Sequence, residues 1–284
     1  MNGKTGLILE GGALRGVFTA GVLDYLLEKK VEFPYVIGVS AGSGNASSFT
    51  SKQPGRMKKV LMHENRESFF GFNQLMKNKK ILNLDMVVVE FAQKDFPFDF
   101  DTFFASDTEC VSVVVNCETG EAEYHSDYKD KDELLKYNVA SMSLPFICDP
   151  VEINGKYYLD GSLVDSLPCR HAIDAGCEKL VAVMTKPLGA KVTDYSKIRR
   201  LVEHTYGKKY PKLAASILKR KDNYDEQMRF LNKLEAEGRA FIIRPEEATI
   251  SHFENSPEKL NACYNYGYNI MKQQYNDLLE FMNK

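Results

Sequence analysis

The chain alternates between short aliphatic runs and longer amphipathic segments, a pattern typical of α/β proteins. Four runs are short and rich in aliphatic or β-branched side chains, which predicts buried strands. These runs are residues 6–9, 35–39, 110–116 and 179–184. Between the first two, Phe18, Val22 and Tyr25 follow the 3.6-residue spacing of a helix over residues 17–29. Repeated strand-to-helix units predict a mainly parallel sheet whose strand ends carry chemistry.

Turn-forming residues predict two hairpins later in the chain. The Glu-Thr-Gly-Glu segment at residues 118–121 would return the third strand into a further strand at 122–125. Asn154-Gly155 is well suited to a type I′ turn and predicts a hairpin over residues 150–159, which delivers Asp160 and Gly161. One more strand is predicted at residues 240–243. Helices are predicted at residues 42–50, 56–66, 132–142, 168–176, 222–238 and 256–282.

The composition is that of a globular protein that can bury a sizeable core: 284 residues, 44% hydrophobic and 27% charged. A net charge of −2 gives no overall attraction to nucleic acid. The sequence has neither an apolar tract of about eighteen residues nor the apolar core of a signal peptide. Its six cysteines form no C-x-x-C pair, and only Cys169 and His171 loosely approach a zinc-ligand spacing. We therefore expect a reduced, cytoplasmic protein.

Two stretches have an unusual composition. Residues 69–104 contain nine of the seventeen phenylalanines, which indicates core packing or, alternatively, a flexible apolar wall or lid for an acyl chain. Residues 191–221 carry ten basic side chains against two acidic ones. A solvated face is the simpler interpretation of this basic stretch. A peripheral contact with anionic lipid on the inner face of a membrane is the alternative hypothesis.

Residues 38–42 form a G-x-S-x-G pentapeptide directly after the second predicted strand. The glycines at Gly38 and Gly42 permit a sharp turn between strand and helix, which would expose the Ser40 hydroxyl. A serine needs such exposure, a base within reach and donors for the oxyanion before it can act as a nucleophile. A serine in this pattern can also be an ordinary helix cap. Its position after a buried strand favours the nucleophile.

The segment Gly11-Gly12-Ala13-Leu14-Arg15-Gly16 after the first strand has three interpretations. As a dinucleotide-binding loop it lacks the second glycine, and no acid follows the second strand to hold a ribose. As a P-loop it lacks Gly-Lys-Ser/Thr. As an oxyanion hole it is suitable, because successive backbone N–H groups at a strand end can converge on one oxygen beside Ser40. Glycines that only allow tight strand-to-helix packing would not explain why the two motifs occur together.

Candidate bases for Ser40 are a histidine or Asp160. None of the histidines lies in a glycine-flanked loop, and a surface or structural role is expected for each of them. They are His63, His125, His171, His204 and His252. Asp160 ends the second hairpin, and Gly161 allows a tight turn after it. A carboxylate within hydrogen-bond reach can take the serine proton directly, although it is a weaker base than imidazole.

The motifs E-G-G-A-L-R-G, G-V-S-A-G, A-S-M-S-L-P at residues 140–145 and D-G-S at residues 160–162 resemble those of the patatin-like phospholipases in order and spacing. The resemblance implies a three-layer α/β/α fold with a mainly parallel central sheet and no metal or cofactor. It implies a Ser–Asp dyad with Ser40 as nucleophile and Asp160 as proton acceptor. It also implies an oxyanion hole at Gly11, Gly12 and Ala13.

Further expectations follow from the same resemblance. Arg15 would support the oxyanion loop, and Gly16, Gly38, Gly42 and Gly161 are motif glycines. Residues 1–188 would form the catalytic core, and residues 189–284 a mainly helical region packed on that core. Two positions depart from the commonest pattern, namely Ala13, where a glycine is frequent, and Ser162, where a glycine or alanine usually follows Asp-Gly. If position 13 requires a positive φ, alanine would strain the loop.

The sequence therefore supports three hypotheses. In the first, the protein is a serine lipid acyl hydrolase of the phospholipase A or carboxylesterase type, which cleaves phospholipids or other acyl esters through an acyl-enzyme. In the second, it is a lipid- or acyl-binding protein of the same fold with little catalysis. The departures from the common motif at Ala13 and Ser162 motivate this hypothesis. In the third, it is an α/β-hydrolase with a histidine triad, although such a nucleophile normally follows more strands than the two found here.

Overall fold

The amino-terminal part of the chain forms two β–α units, as its hydrophobic pattern predicts. The computed structural model describes residues 4–63 and 83–284. Strand β1 (Lys4–Leu9) leads into helix α1 (Gly16–Glu28), and β2 (Tyr35–Val39) leads into α2 (Ala41–Thr50). The two strands are parallel, with Leu9 opposite Gly38 at their carboxyl ends. The loops that follow both strands therefore meet at one edge of the sheet.

The remaining strands and helices follow in mixed order. The strands are β3 (Glu109–Asn116), β4 (Ala122–His125), β5 (Val151–Ile153), β6 (Lys156–Asp160), β7 (Cys177–Val183) and β8 (Ala240–Ile243). The α-helices are α3 (Arg56–Leu61), α4 (Phe100–Phe104), α5 (Lys131–Met142), α6 (Cys169–Asp174), α7 (Arg199–Val202), α8 (Pro211–Ala236) and α9 (Pro257–Asn283). Residues Asp85–Asp95 and Glu203–Gly207 are π-helical. Short 3₁₀ turns lie at Ala13–Arg15, Gly161–Leu163 and Tyr195–Ile198.

Within residues 4–63 and 83–284, eight strands form one sheet and are paired in the succession β5-β6-β3-β2-β1-β7-β8, with β4 also paired to β3. The strands β3, β2, β1, β7 and β8 are parallel, whereas β4 and β6 pair antiparallel with opposite edges of β3 and β5 pairs antiparallel with β6. The expected α/β fold with a mainly parallel sheet is therefore confirmed. Both hairpins lie in its antiparallel part.

The core lies on both faces of the sheet, because the central strands are covered by helices on each side. Along β1, Leu7 and Leu9 belong to the cluster that includes α1 and α9, whereas Ile8 belongs to the cluster that includes α6 and α8. Helix α9 crosses α1 closely: a Cβ atom added at Gly267 would lie 2.1 Å from the Phe18 carbonyl oxygen. The carboxyl-terminal helix is thus packed directly on the first β–α unit.

Two predictions about elements are modified by the structure. The charged helix predicted at residues 222–238 begins at Pro211, so it includes the last part of the basic stretch. The predicted helix at residues 56–66 ends at Leu61 within the described residues, and residues 64–66 lie outside them. No helix of the described ranges is both long and apolar enough to cross a membrane.

The described phenylalanines of residues 69–104 are partly buried in the core and partly exposed. Phe91, Phe98 and Phe103 are buried, as the core-packing interpretation predicts. Phe104 is 44% exposed. The three phenylalanines at positions 69, 70 and 72 lie outside the described residues. The hypothesis of a lid therefore stays a prediction.

Candidate active site

Ser40 lies in a strained turn between β2 and α2. Its backbone has φ 56° and ψ −130°, in the positive-φ region that non-glycine residues rarely adopt. A Cβ atom added at Gly42 would lie 2.3 Å from the Leu9 carbonyl oxygen, and one added at Gly38 would lie 2.2 Å from the Gly42 oxygen. The turn is therefore possible only with glycine at both positions. This is the geometry of a nucleophile elbow.

The backbone of the elbow is fixed by a serine from α5. The Ser40 N–H donates to Ser141 Oγ over 2.9 Å, and Ser141 Oγ donates to the Val113 carbonyl over 2.7 Å. Ser43 closes the other side, because its N–H and its hydroxyl both donate to the Ser40 carbonyl. Ser141 belongs to the A-S-M-S-L-P motif, and the sequence alone gave it no role.

Strand β3 brings Asp160 to Ser40. Along one edge of β3, the parallel strand β2 ends with Val39 opposite Val113, and the antiparallel strand β6 ends with Asp160 opposite Val114. The two strands thus meet head-on at neighbouring positions of β3. Ser40 and Asp160 come together there, although they are far apart in the chain.

Asp160 is fully buried and only half satisfied. Its Oδ1 accepts a hydrogen bond from the Ser162 N–H at 2.8 Å, whereas Oδ2 has no hydrogen-bond partner of normal geometry within the described residues. Burial raises the pKa of Asp160, and the Ser162 amide, the Ser40 and Ser162 hydroxyls and the Arg220 charge oppose that rise. A buried carboxylate with a vacant oxygen and a raised pKa beside a serine hydroxyl is suited to accept its proton.

The turn after Asp160 is held by helix α8. A Cβ atom added at Gly161 would lie 2.5 Å from the Val113 carbonyl oxygen, so the turn packs directly on β3. The Arg220 Nε donates to the Ser162 carbonyl at 3.0 Å. Arg220 was expected on a solvated basic face. It instead anchors the turn that carries the candidate base.

The glycine loop lies against Ser40. A Cβ atom added at Gly11 would be 2.7 Å from Ser40 Cβ, and one added at Gly12 would be 2.6 Å from Thr185 Oγ1. The N–H groups of Gly11, Gly12 and Ala13 donate to no acceptor within residues 4–63 and 83–284. Free amides at a strand end are what an oxyanion hole requires.

Ala13 adopts a positive φ of 50°. This is the condition under which the sequence predicts strain at this position. An L-residue other than glycine is disfavoured there by about 1–2 kcal/mol. Gly16 begins α1 and packs on α2, since an added Cβ atom would lie 3.0 Å from Ala41 Cβ. The loop is therefore tightly packed on both sides and locally strained at Ala13.

A buried ion pair lies beneath the glycine loop. Glu10 and Lys186 are 1% and 7% exposed, and their charged groups are 2.5 Å apart. Glu10 also accepts hydrogen bonds from the Thr185 N–H at 2.7 Å and from the Tyr224 hydroxyl at 2.8 Å. Burial alone would raise the pKa of Glu10, but Lys186 and these donors lower it below the usual range. Thr185 Oγ1 donates to the Gly11 carbonyl at 2.7 Å and so links the network to the loop.

Arg15 supports the loop through a histidine that lies at the surface. Its Nη2 is 2.6 Å from His252 Nε2, and the Leu14 N–H donates to the His252 carbonyl. Partial burial and the charges of Arg15, Lys186 and Arg220 lower the pKa of His252 to about 4. His252 is therefore neutral near pH 7 and can accept a hydrogen bond from Arg15.

None of the histidines takes the place of Asp160. Ser40 makes no hydrogen bond to a histidine anywhere in the described part of the chain. His125 and His171 stack on Tyr137 and Tyr124 at 4.0 and 3.7 Å between ring centroids. The surface and structural roles expected for these residues agree with this arrangement, and the histidine-triad hypothesis receives no support.

An apolar pocket of about 100 Å³ opens beside Ser40. Its wall includes Leu14, Leu61, Met142 and Leu144. A larger cavity of about 880 Å³ is lined by residues such as Phe33 and Thr108, which precede β2 and β3. That cavity lies at the amino ends of the strands, whereas ligands of open α/β sheets bind at the carboxyl ends. The smaller pocket is therefore the candidate substrate site.

The sheet and the elbow are features that α/β hydrolytic enzymes share. Within that class, the chain belongs to the patatin-like phospholipase family, whose family model matches residues 7–173. A second family model, a domain of unknown function called DUF6363, matches residues 210–283.

Two proteins are similar to this chain in sequence, and one solved structure is similar to it in fold. Uncharacterized protein YjjU of Escherichia coli is 32% identical over 190 residues, which cover 65% of this chain and 53% of YjjU. Lysophospholipase nte1 of Aspergillus terreus is 26% identical over 184 residues, 63% of this chain and 12% of that protein. The chain thus spans only part of these relatives. VipD of Legionella pneumophila has a similar fold, with a TM-score of 0.54 and 14% identity over 98% of this chain and 67% of VipD.

Proposed function

We propose that the protein is a serine lipid acyl hydrolase that cleaves acyl esters, with phospholipids or lysophospholipids as the substrate class. The observation that carries the proposal is the meeting of Ser40 and Asp160 at Val113 and Val114 of β3. Family membership and the similarity to lysophospholipase nte1 support the lipid class. The apolar pocket beside Ser40 is suited to an acyl chain.

In the proposed mechanism, Ser40 Oγ attacks the ester carbonyl while Asp160 Oδ2 takes its proton. The amides of Gly11, Gly12 and Ala13 hold the negative charge of the tetrahedral intermediate. The intermediate collapses, the alcohol leaves with the proton from Asp160, and the acyl group stays on Ser40. Asp160 then removes a proton from water, which attacks the acyl-enzyme and releases the fatty acid. Serine is regenerated as the proton returns to Ser40 Oγ.

The test uses Ser40→Ala and Asp160→Asn with short p-nitrophenyl esters and a fluorophosphonate probe. We expect covalent labelling of the wild type, no labelling of Ser40→Ala, and slow labelling of Asp160→Asn. Wild-type ester hydrolysis by Ser40→Ala would refute the mechanism. Because burial holds the pKa of Asp160 above its usual range, activity should fall as the pH is lowered through that pKa.

Ala13 supports a second candidate function, binding of lipid or fatty acid with little turnover. Its strained φ of 50° could displace one donor of the oxyanion hole. In that case fatty acids would bind saturably, and the fluorophosphonate probe would leave Ser40 unmodified. Covalent labelling of Ser40 at a rate that depends on Asp160 would exclude this function.

For the basic stretch we propose a contact with anionic lipid headgroups. Ile198 and Leu201 are 41% and 49% exposed, and they lie among the exposed cations Lys197, Arg199 and Arg200. Each such cation is worth about 1 kcal/mol near an anionic surface, or about fivefold in affinity. Lys197→Glu and Arg200→Glu should therefore weaken co-sedimentation with phosphatidylserine vesicles. Binding that is equal on phosphatidylcholine vesicles, or insensitive to salt, would refute the contact.

A further inference from the structure

A second apolar pocket lies directly behind the one that contains Ser40. It has a volume of about 60 Å³. The two pockets share five wall residues: Ala41, Val60, Leu61, Val87 and Met142. Shared walls of this kind mean that the two cavities are neighbours separated by a thin layer of side chains.

The second pocket follows one face of α2 away from Ser40. Ala41, Gly44 and Ser47 line it, and their spacing of three residues places them on the same side of the helix. With a rise of 1.5 Å per residue, this face extends about 10 Å from the elbow. The path thus begins at the nucleophile and runs along the helix that the nucleophile starts.

Met142 is one of the five residues that line both pockets. A Cβ atom added at Gly44 would be 2.7 Å from Met142 Cε, so the methionine methyl group covers the bare backbone of Gly44. Methionine is unbranched and adapts its shape more readily than other apolar side chains. A rotation of Met142 would therefore join the two cavities without a change of the backbone.

We propose that Met142 is a gate that sets the length of the acyl chain accepted at Ser40. The chain attached to Ser40 fills the first pocket and, when Met142 turns aside, continues along α2 into the second. This inference rests on the proposed acyl hydrolase function and adds the residue that determines chain-length specificity.

The far end of the second pocket is polar, which limits the chain. Asn138 Nδ2 and Ser47 Oγ are 3.2 Å apart, and Arg56 Nη1 donates to Ser48 Oγ at 3.0 Å. A methyl terminus that reached these groups would gain nothing from burial and would disturb their hydrogen bonds. The site is thus suited to a chain that fills both apolar pockets and ends before this polar floor.

The test compares kcat/KM for p-nitrophenyl acetate, butyrate, octanoate and dodecanoate in the wild type, Met142→Ala and Gly44→Ala. Each rate is divided by the same variant's rate on acetate. Met142→Ala should raise the octanoate ratio about fourfold for each additional methylene that becomes buried. Gly44→Ala should lower it, because Gly44 lines the second pocket and the new methyl group, which displaces Met142 Cε, takes up space that the chain would fill. Alanine also favours the helix at this position, so loss of fold is not expected.

Met271→Ala is the matched control, because Met271 is fully buried in the core around α9 and lines neither pocket. Its octanoate ratio should equal that of the wild type. A second measurement does not depend on catalysis: in a Ser40→Ala background, Met142→Ala should tighten the Kd of dodecanoate more than that of butyrate.

Wild-type chain-length ratios in both Met142→Ala and Gly44→Ala would overturn the gate and leave the hydrolase function intact. Unaltered hydrolysis by Ser40→Ala would instead overturn the proposed function, whatever the chain-length ratios. The two failures are therefore distinguishable.

Discussion

The Glu10–Lys186 pair beneath the glycine loop gives the sharpest prediction about stability. Substituting Lys186→Met removes the positive charge and keeps an apolar side chain of similar length. Glu10 would then remain buried at 1% exposure without a counter-charge. Breaking a buried ion pair in this way costs about 3–5 kcal/mol. We expect the lower end, about 3 kcal/mol, because Thr185 and Tyr224 still donate hydrogen bonds to Glu10.

The double variant Glu10→Gln with Lys186→Met should recover most of this loss. Glutamine keeps an oxygen for the Thr185 N–H and carries no charge that burial penalises. The cost of the double variant should be about 1–2 kcal/mol, below the sum of the single costs by about 2 kcal/mol or more. Urea denaturation of the wild type, both single variants and the double variant measures this coupling. Additive costs would show that the pair is not a coupled unit.

The pH dependence provides an independent check with a defined sign. In the wild type the pKa of Glu10 is lowered, so its contribution to stability is present above the unfolded-state pKa of about 4.3 and is lost as the pH falls through the folded-state pKa. In Lys186→Met, protonated Glu10 needs no counter-charge. The cost of the substitution should therefore shrink as the pH is lowered from 7 to 5. A cost that is constant over this range would contradict the reasoning.

Three further predictions concern the elbow, the base and the loop. Asp160→Asn should reduce ester hydrolysis by about 10²–10⁴-fold. It should also stabilise the fold by about 1–2 kcal/mol in urea denaturation, because the substitution removes a buried charge. A variant less stable than the wild type would contradict this reasoning. Ala13→Gly should relieve the strain of the positive φ and speed fluorophosphonate labelling of Ser40. The gain in stability should be below about 1 kcal/mol. Slower labelling would show that the strained geometry of Ala13 is the one that supports the reaction. Gly42→Ala should abolish labelling and cost about 2 kcal/mol, because its Cβ atom would lie 2.3 Å from the Leu9 carbonyl oxygen. Gly207→Ala, whose nearest contact is 3.7 Å, is the control for Gly42→Ala and should leave labelling and stability unchanged.

The features that local sequence determines could be predicted well. The strands β1 and β2, the turn at Ser40 and the hairpin at Asn154-Gly155 each depend on a few adjacent residues, and their hydrophobic period or turn chemistry is readable. The sequence could not predict the positive φ of Ala13, because the residues of the loop do not determine its backbone conformation.

The features that depend on long-range packing were missed. The partners Glu10 and Lys186 lie just beyond the ends of the neighbouring parallel strands β1 and β7, and nothing local in either segment indicates that they meet. The sequence could not distinguish Arg220 from the exposed cations around it, because the direction of its side chain depends on how α8 is oriented about its own axis. The start of that helix had a readable signal, since proline is favoured in the first helical turn and Pro211 occupies it.

The head-on meeting of β2 and β6 on β3 has a consequence for how the protein matures. The two halves of the proposed dyad belong to separate parts of the chain, and they face each other only when both β2 and β6 are paired with β3. Pairings between distant segments are the slow steps of folding. A chain in which β6 has not yet paired with β3 therefore holds Ser40 without its proposed base. Under the proposed mechanism, hydrolysis therefore begins only when the sheet is complete.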